Sequence, residues 1–163
     1  MKKELEVFYD LACPYCYQGL MDLRKFLNGN EEVYLNYIAC EAHPKPEPAK
    51  MHSDLAARVV YFLKDNDLDV NKFNFLVYEA YFEKDLSIED KSLLTEFAKM
   101  CGADEDSVRE VLNSNKYQDV LESANMLVWS ELKFAAVPSY RRTVGSGGGV
   151  LVDIDKVAEL LEE

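Results

Sequence analysis

Leu5-Glu6-Val7-Phe8-Tyr9-Asp10-Leu11-Ala12-Cys13-Pro14-Tyr15-Cys16-Tyr17-Gln18-Gly19 decides the fold. Residues 5–9 are a short β-prone run, the pattern of a central strand. After Cys13 the pattern turns helical. Tyr17, Leu20, Met21, Leu23, Phe26 and Leu27 recur three and four residues apart and stop at Asn28-Gly29-Asn30. Residues 33–39 (Val-Tyr-Leu-Asn-Tyr-Ile-Ala) alternate and are β-rich, a second strand. Strand, helix, strand predicts a parallel pair joined by a right-handed crossover. Cys13 and Cys16 stand at the strand-to-helix junction, where a C-x-x-C spacing reads as a redox pair. One helical turn brings the two sulfurs within bonding distance. The unpaired amides and dipole of the helix start stabilise a thiolate at Cys13. Pro14 suits the first helical position, because it has no amide hydrogen to leave unpaired. Cys13 is therefore expected as the exposed, low-pKa nucleophile. Cys16 is expected as the buried thiol that attacks the mixed disulfide formed on Cys13. The competing reading is two unreactive thiols at a helix end.

The rest of the chain fits around this unit. Residues 40–48 carry Pro44, Pro46 and Pro48 and read as loop. From 49 to 134 the pattern is helical throughout. Ala56, Val59, Val60 and Leu63 share one face; Phe73, Leu76, Val77, Ala80 and Tyr81 form a second stripe. Leu93, Leu94, Phe97, Ala98 and Cys101 form a third, ended by Gly102. Asp104 is placed to cap a helix that turns Val108, Val111 and Leu112 inward. The last helical stretch, 118–134, holds Val120, Leu121, Ala124, Leu127, Val128 and Leu132. Extended chain resumes at Val137-Pro138-Ser139-Tyr140. A turn is expected over 145–149, a short strand over 150–152 and a final helix over 155–161. Residues 1–48 and 135–163 thus read as one discontinuous α/β unit with a four-stranded mixed sheet. Residues 49–134 read as an all-helical insertion between its second and third strands.

Composition narrows the function classes. The chain has 163 residues, 48% hydrophobic and 29% charged, ordinary for a globular protein that needs no disulfide staples. Lys plus Arg total 18 against 30 Asp plus Glu, a net charge of −12. With no basic stripe, this disfavours nucleic-acid partners and anionic membrane surfaces. No apolar run reaches the roughly 18 residues of a spanning helix. Lys2 and Lys3 are followed by a stretch broken at Glu6 and Asp10, so no export signal is read and a cytoplasmic location is expected. Thiols stay reduced there, so Cys13, Cys16, Cys40 and Cys101 need not form a structural framework.

Several segments resemble one family, in the right order along nearly the whole chain. They are Tyr9 to Gly19, Ala80-Tyr81-Phe82-Glu83-Lys84-Asp85-Leu86-Ser87-Ile88, and Ala98-Lys99-Met100-Cys101-Gly102 with 108–112 behind it. Ala136-Val137-Pro138-Ser139-Tyr140 completes the set. Together they resemble the DsbA-like thioredoxin proteins, specifically the FrnE-like branch. The resemblance implies a thioredoxin-like fold carrying an all-helical insertion, and thiol-disulfide oxidoreductase activity. It implies Cys13 as nucleophile, Cys16 as resolving thiol and Pro138 as a cis-proline facing the pair. The Val137 backbone would then pair with the substrate chain, beside the substrate-facing Pro14 and Tyr15. No cofactor beyond the dithiol is implied. The partners are a protein or small-thiol substrate and a recycling reductant such as glutathione. The chain departs from the family in being shorter around 49–77. It also has Arg141-Arg142-Thr143 where an apolar strand is usual, and a loose Gly147-Gly148-Gly149 hairpin. Relatives that are glutathione transferases of the kappa class or chromene-carboxylate isomerases carry Ser at the first Cys position. Cys13 argues against a glutathione-dependent isomerase or transferase here.

Other constellations stand beside the redox pair. Cys13-x2-Cys16 with Cys40-x2-His43 has four-ligand zinc spacing, the basis of an alternative zinc-holding or partner-binding module. Cys40 otherwise reads as a buried thiol near the active face, a candidate secondary redox partner, and Cys101 as core. Asp10, three residues before Cys13, is a candidate proton acceptor for Cys16 or a plain turn residue. The glycines of 145–149 lack the Lys-Ser/Thr ending of a phosphate loop. Phe73, Phe75, Tyr78, Tyr81 and Phe82 read as core of the insertion, with a peptide groove over Cys13 or a homodimer contact as the other uses. The direction of exchange is open at this point. Without an export signal, a reductase or isomerase is the first choice.

Overall fold

The computed structural model describes residues 2–144 and 148–162. Strands β1 (Lys3–Tyr9), β2 (Val33–Ala39), β3 (Ser139–Val144) and β4 (Gly148–Val152) form one sheet in the order β2-β1-β3-β4. β1 runs parallel to β2, from Lys3 opposite Val33 to Tyr9 opposite Ala39, and antiparallel to β3, with Val7 opposite Tyr140. Covered on both sides, β1 buries Leu5 to Tyr9 without interruption, as its apolar run anticipates. The exception in polarity is Glu6. Its cross-strand partner is Arg141, whose Nε and Nη2 donate to Oε1 and Oε2 at 2.8 and 3.1 Å. A polar pair thus replaces the apolar contact expected at this point of β3. The bidentate fork satisfies both charges where a lone one would be costly.

Helix α1 (Pro14–Leu27) crosses from β1 to β2 and ends at Asn28 and Gly29 with φ of 44° and 77°. The left-handed turn that Asn-Gly permits therefore stops it. Between β2 and β3 lie α2 (Asp54–Asp65), α3 (Val70–Tyr78), α4 (Lys91–Met100), α5 (Glu105–Leu112) and α6 (Gln118–Asn125). α3 and α6 continue as π-helical turns over Glu79–Glu83 and Met126–Glu131. A short 3-10 turn and α7 (Val157–Glu162) close the chain. This is the α/β fold with an all-helical insertion read from the sequence. The Asp104 carboxylate accepts from the Ser107 N–H at 3.0 Å, the cap its position predicts. Polar ties fasten the insertion to the sheet. Tyr9 donates to Asn74 at 2.7 Å, Tyr37 to Asn71 at 2.6 Å, and Lys64 to Asn36 and the Tyr37 carbonyl at 2.7 and 2.6 Å.

The apolar repeats are not buried throughout, and one expected turn needs correction. Phe26 and Val120, both in the apolar repeats of their helices, are 51% and 39% exposed. Each stands about 70° around its helix from the centre of the buried stripe, at the 100° per residue of an α-helix. Gly148 and Gly149 belong to β4, opposite Val144 and Thr143, instead of to a turn. The remainder of that expected turn, residues 145–147, lies outside the described residues.

Gly19 sets how closely α1 approaches β3. A Cβ built there would lie 2.7 Å from the Pro138 ring and 3.2 Å from the Tyr140 hydroxyl. The ring cannot swing aside as a flexible side chain would. Gly19→Ala is therefore expected to destabilise the protein by about 1–3 kcal/mol, despite the roughly 1 kcal/mol that alanine gains in helix propensity. Urea unfolding of the reduced protein measures it; wild-type stability in the variant would show that β3 can retreat freely.

Candidate active site

The chain leaves β1 at Tyr9, turns through Asp10 and enters α1 at Cys13. Cys13 is the N-cap residue, with extended φ and ψ of −99° and 122°, and Pro14 opens the helix. The Cys13 N–H donates to the Asp10 carbonyl at 3.1 Å, closing the turn. Cys13 is half-buried, Cys16 has no exposed surface, and Tyr15 between them is 77% exposed. No hydrogen bond from the helix start caps the neutral Cys13 thiol. The ionised form is favoured nonetheless. The Cys16 thiol donates to the Cys13 sulfur, and the N–H groups of Cys16 and Tyr15 face it, bringing Cys13 down to about 7. Cys16 moves the other way. Burial first, and its hydrogen bond to Cys13 second, push its pKa well above the ordinary thiol value. The hydrogen bond that the two thiols share thus shifts them in opposite directions.

Pro138 reaches the pair from the other end of the chain. The Val137–Pro138 peptide is cis, and the Pro138 ring packs on α1 at Gly19, one turn beyond Cys16. Ladder pairing of β3 with β1 begins at Ser139 opposite Phe8, so Val137 lies outside it. Val137 is itself buried, whereas Ala135 and Ala136 are exposed. Tyr140, two residues further on, is fully buried and its hydroxyl has no hydrogen-bond partner. A cavity of about 420 Å³ opens on the Cys13 side, lined by Cys13, Tyr15, Pro48, Met51 and Tyr81 among others. Tyr81 belongs to the π-helical turn after α3. Beside it, Tyr17, Tyr78 and Phe82 stack with centroids 5.1–6.2 Å apart. The aromatic stretch therefore serves as core and also supplies one wall of the cavity.

The four candidate zinc ligands are not brought together. His43 is exposed and pairs with Glu47 at 2.7 Å. The buried Cys40 turns its thiol back to the Tyr9 carbonyl at 3.5 Å. Among the described residues no three His, Cys, Asp or Glu side chains group as metal ligands. Cys101 is 7% exposed, in the insertion core. Asp10 is 5% exposed, and only its backbone N–H, at 3.4 Å, touches the Cys16 sulfur. Sequence reasoning passed over Gly19, Ser53 and Tyr140. Gly19 carried a signal, since glycine inside a helix is costly unless something approaches closely. Ser53 looks like an N-cap for α2, yet its hydroxyl does not cap that helix and goes to Asp10 at 2.6 Å.

A strand, a C-x-x-C turn capping a helix, and a proline packed against that helix define a thioredoxin-like dithiol protein. The comparisons make the class specific. The family model described as a DSBA-like thioredoxin domain matches residues 4–140. The chain belongs to this family of thiol-disulfide oxidoreductases. The curated protein YwbO of Bacillus subtilis (strain 168), described as uncharacterized, is 24% identical, with 86% of each chain covered. Solved structures share the fold. A Nitrosomonas europaea protein assigned as a protein disulfide isomerase superposes with a TM-score of 0.79 at 14% identity, covering 99% of this chain and 97% of that one. The oxidoreductase DsbA of Xylella fastidiosa gives 0.67 at 15% identity, covering 99% and 83%. A 2-hydroxychromene-2-carboxylate isomerase gives 0.73 at 14% identity, covering 98% and 93%.

Iodoacetamide reports the split between the thiols. Its rate at Cys13 should rise with pH and level off above a midpoint near about 7, because only the thiolate reacts. Below that midpoint the thiol form dominates and the rate falls. Cys16→Ala removes the strongest stabilising donor, so the midpoint should move up toward an ordinary thiol. An unmoved midpoint would mean that the helix amides alone hold the thiolate.

Proposed function

We propose that this chain is a cytoplasmic thiol-disulfide exchange enzyme working in the reducing or isomerising direction on protein or small-thiol disulfides. The observation that carries the reading is the asymmetry of the pair: a half-buried Cys13 lowered to about 7 beside a buried Cys16 raised well above an ordinary thiol. The Cys13 thiolate attacks a substrate disulfide. A Cys13–substrate bond forms, and the other substrate sulfur leaves as a thiolate. Cys16 then loses its proton and attacks the Cys13 sulfur, releasing the second substrate thiolate. The substrate gains two electrons, and Cys13–Cys16 is left as a disulfide. A low-molecular-weight thiol such as glutathione returns the pair to the dithiol.

The pKa argues for the direction. A strongly oxidising pair has a nucleophile near ~3.5, so stable as a thiolate that the reduced form wins; a reducing thioredoxin has one near ~7. Cys13 sits with the second. In this reading Pro14, Tyr15 and the Val137 backbone meet the substrate, and Pro138 borders the reacting sulfurs. The exposure of Tyr15, Ala135 and Ala136 and the place of Val137 outside the β1–β3 ladder support that role.

The reduction potential of the pair is the test. Equilibration in graded glutathione buffers, alkylation and mass measurement should give one reversible two-thiol transition closer to about −270 mV than to about −120 mV. A value near the latter would make the protein an oxidant and overturn the direction. Cys13→Ser should abolish exchange, and Cys16→Ser should accumulate the mixed disulfide. Exchange that survives Cys13→Ser would remove the mechanism altogether.

A further inference from the structure

Asp10 stands three residues before the nucleophile, and every polar atom it has is engaged. Its Oδ1 accepts from the Ala12 N–H at 2.8 Å and from the Ser53 hydroxyl at 2.6 Å. Its Oδ2 accepts from the Ala42 N–H at 2.9 Å. Its backbone N–H donates to the Cys16 sulfur at 3.4 Å. Its carbonyl accepts from the Cys13 N–H at 3.1 Å and the Tyr78 hydroxyl at 3.0 Å. These partners fall into two groups. Ala12, Cys13 and Cys16 belong to the cysteine turn. Ala42 and Ser53 belong to the segment between β2 and α2, which forms the facing wall of the cavity beside Cys13 through His43, Pro48 and Met51. Tyr78 adds the end of α3.

A carboxylate filled by three donors is poorly placed to take the Cys16 proton, because a proton would have to displace one of them. It is well placed to fix distances. We propose that Asp10 is a positioning residue that clamps the β2–α2 wall to the Cys13–Cys16 turn and so sets the width of the cavity that receives a polypeptide chain next to its disulfide. This rests on the exchange reading above. In this role Asp10 holds the wall in place and passes no proton. Substrates that reach across to the wall feel the clamp; a disulfide small enough to touch only Cys13 does not.

The test compares the full-length protein with Ser53→Ala, Asp10→Glu and Asp10→Asn. Each is assayed on a cysteine peptide held in an intramolecular disulfide and on 2-hydroxyethyl disulfide. Ser53→Ala breaks the wall side of the clamp without changing charge. It should slow the peptide by about tenfold, the order expected when a wall shifts by a fraction of an ångström to an ångström. The small disulfide and the Cys13 titration midpoint should be unchanged. Asp10→Glu keeps the charge but moves the oxygens, so it should repeat that pattern. Asp10→Asn should add a lower midpoint, since the Asp10 charge opposes the Cys13 thiolate. Amide exchange at Ala42 should speed up in all three variants. Equal slowing of both disulfides in Asp10→Asn, with Ser53→Ala silent, would assign Asp10 to proton transfer and overturn the clamp. Unchanged protection of Ala42 together with an unchanged peptide-to-small-disulfide ratio would overturn it as well. Failure of the wild type to exchange either disulfide sinks the exchange reading instead, and the amide protection still judges the clamp.

Discussion

The absence of a side chain at Gly19 holds the two halves of the site together. α1 and β3 are remote in sequence; α1 buries Leu20 and Leu23, and β3 is held by its ladder to β1. Where they meet, a proline ring rests against bare helix backbone. The dithiol at the start of α1 and the cis peptide before β3 are thereby fixed relative to each other by rigid parts. Neither the helix nor the ring has a soft torsion with which to drift.

Around that contact, electrostatics divides the labour. The same hydrogen bond that lowers Cys13 raises Cys16, so the two thiols are coupled rather than tuned one by one. Burial adds to the difference. Tyr78 and Tyr140 close over the Cys16 side and exclude water from it. Cys13 stays at the rim, where a partner can reach it. Of the nearest acids, Asp10 is occupied by hydrogen bonds and Glu41 is bound by Asn125. The Cys16 thiol and the helix-start amides pull Cys13 down against burial and the opposing charge of Asp10.

How much of this is legible in the sequence depends on whether the signal is local. β2 is legible at its observed bounds because alternation is a property of neighbours, and the helix stop at Asn28-Gly29 is legible because a left-handed turn selects those residue types. The cysteine turn is legible for the same reason: spacing, Pro14 and the flanking strand all lie within one short stretch. Phe26 and Val120 mislead because periodicity gives a stripe but not its width. Arg141 looked like a break in the strand because its partner, Glu6, lies at the other end of the chain. The bond between Ser53 and Asp10 escapes for a deeper reason. Any serine before a helix resembles a cap, and nothing in its neighbours says that its hydroxyl will leave the helix for a carboxylate in the turn after β1.

The order of these parts along the chain matters for biosynthesis. Cys13 and Cys16 are made early and Pro138 late, with the whole helical insertion between them. At roughly 5–20 residues per second, the nascent chain carries its dithiol for on the order of ten seconds before the facing proline is synthesised. The emerging polypeptide displays a nucleophile before it has the groove that disciplines it. A protein built in this order depends on its surroundings to keep those early thiols from reacting with the wrong partner.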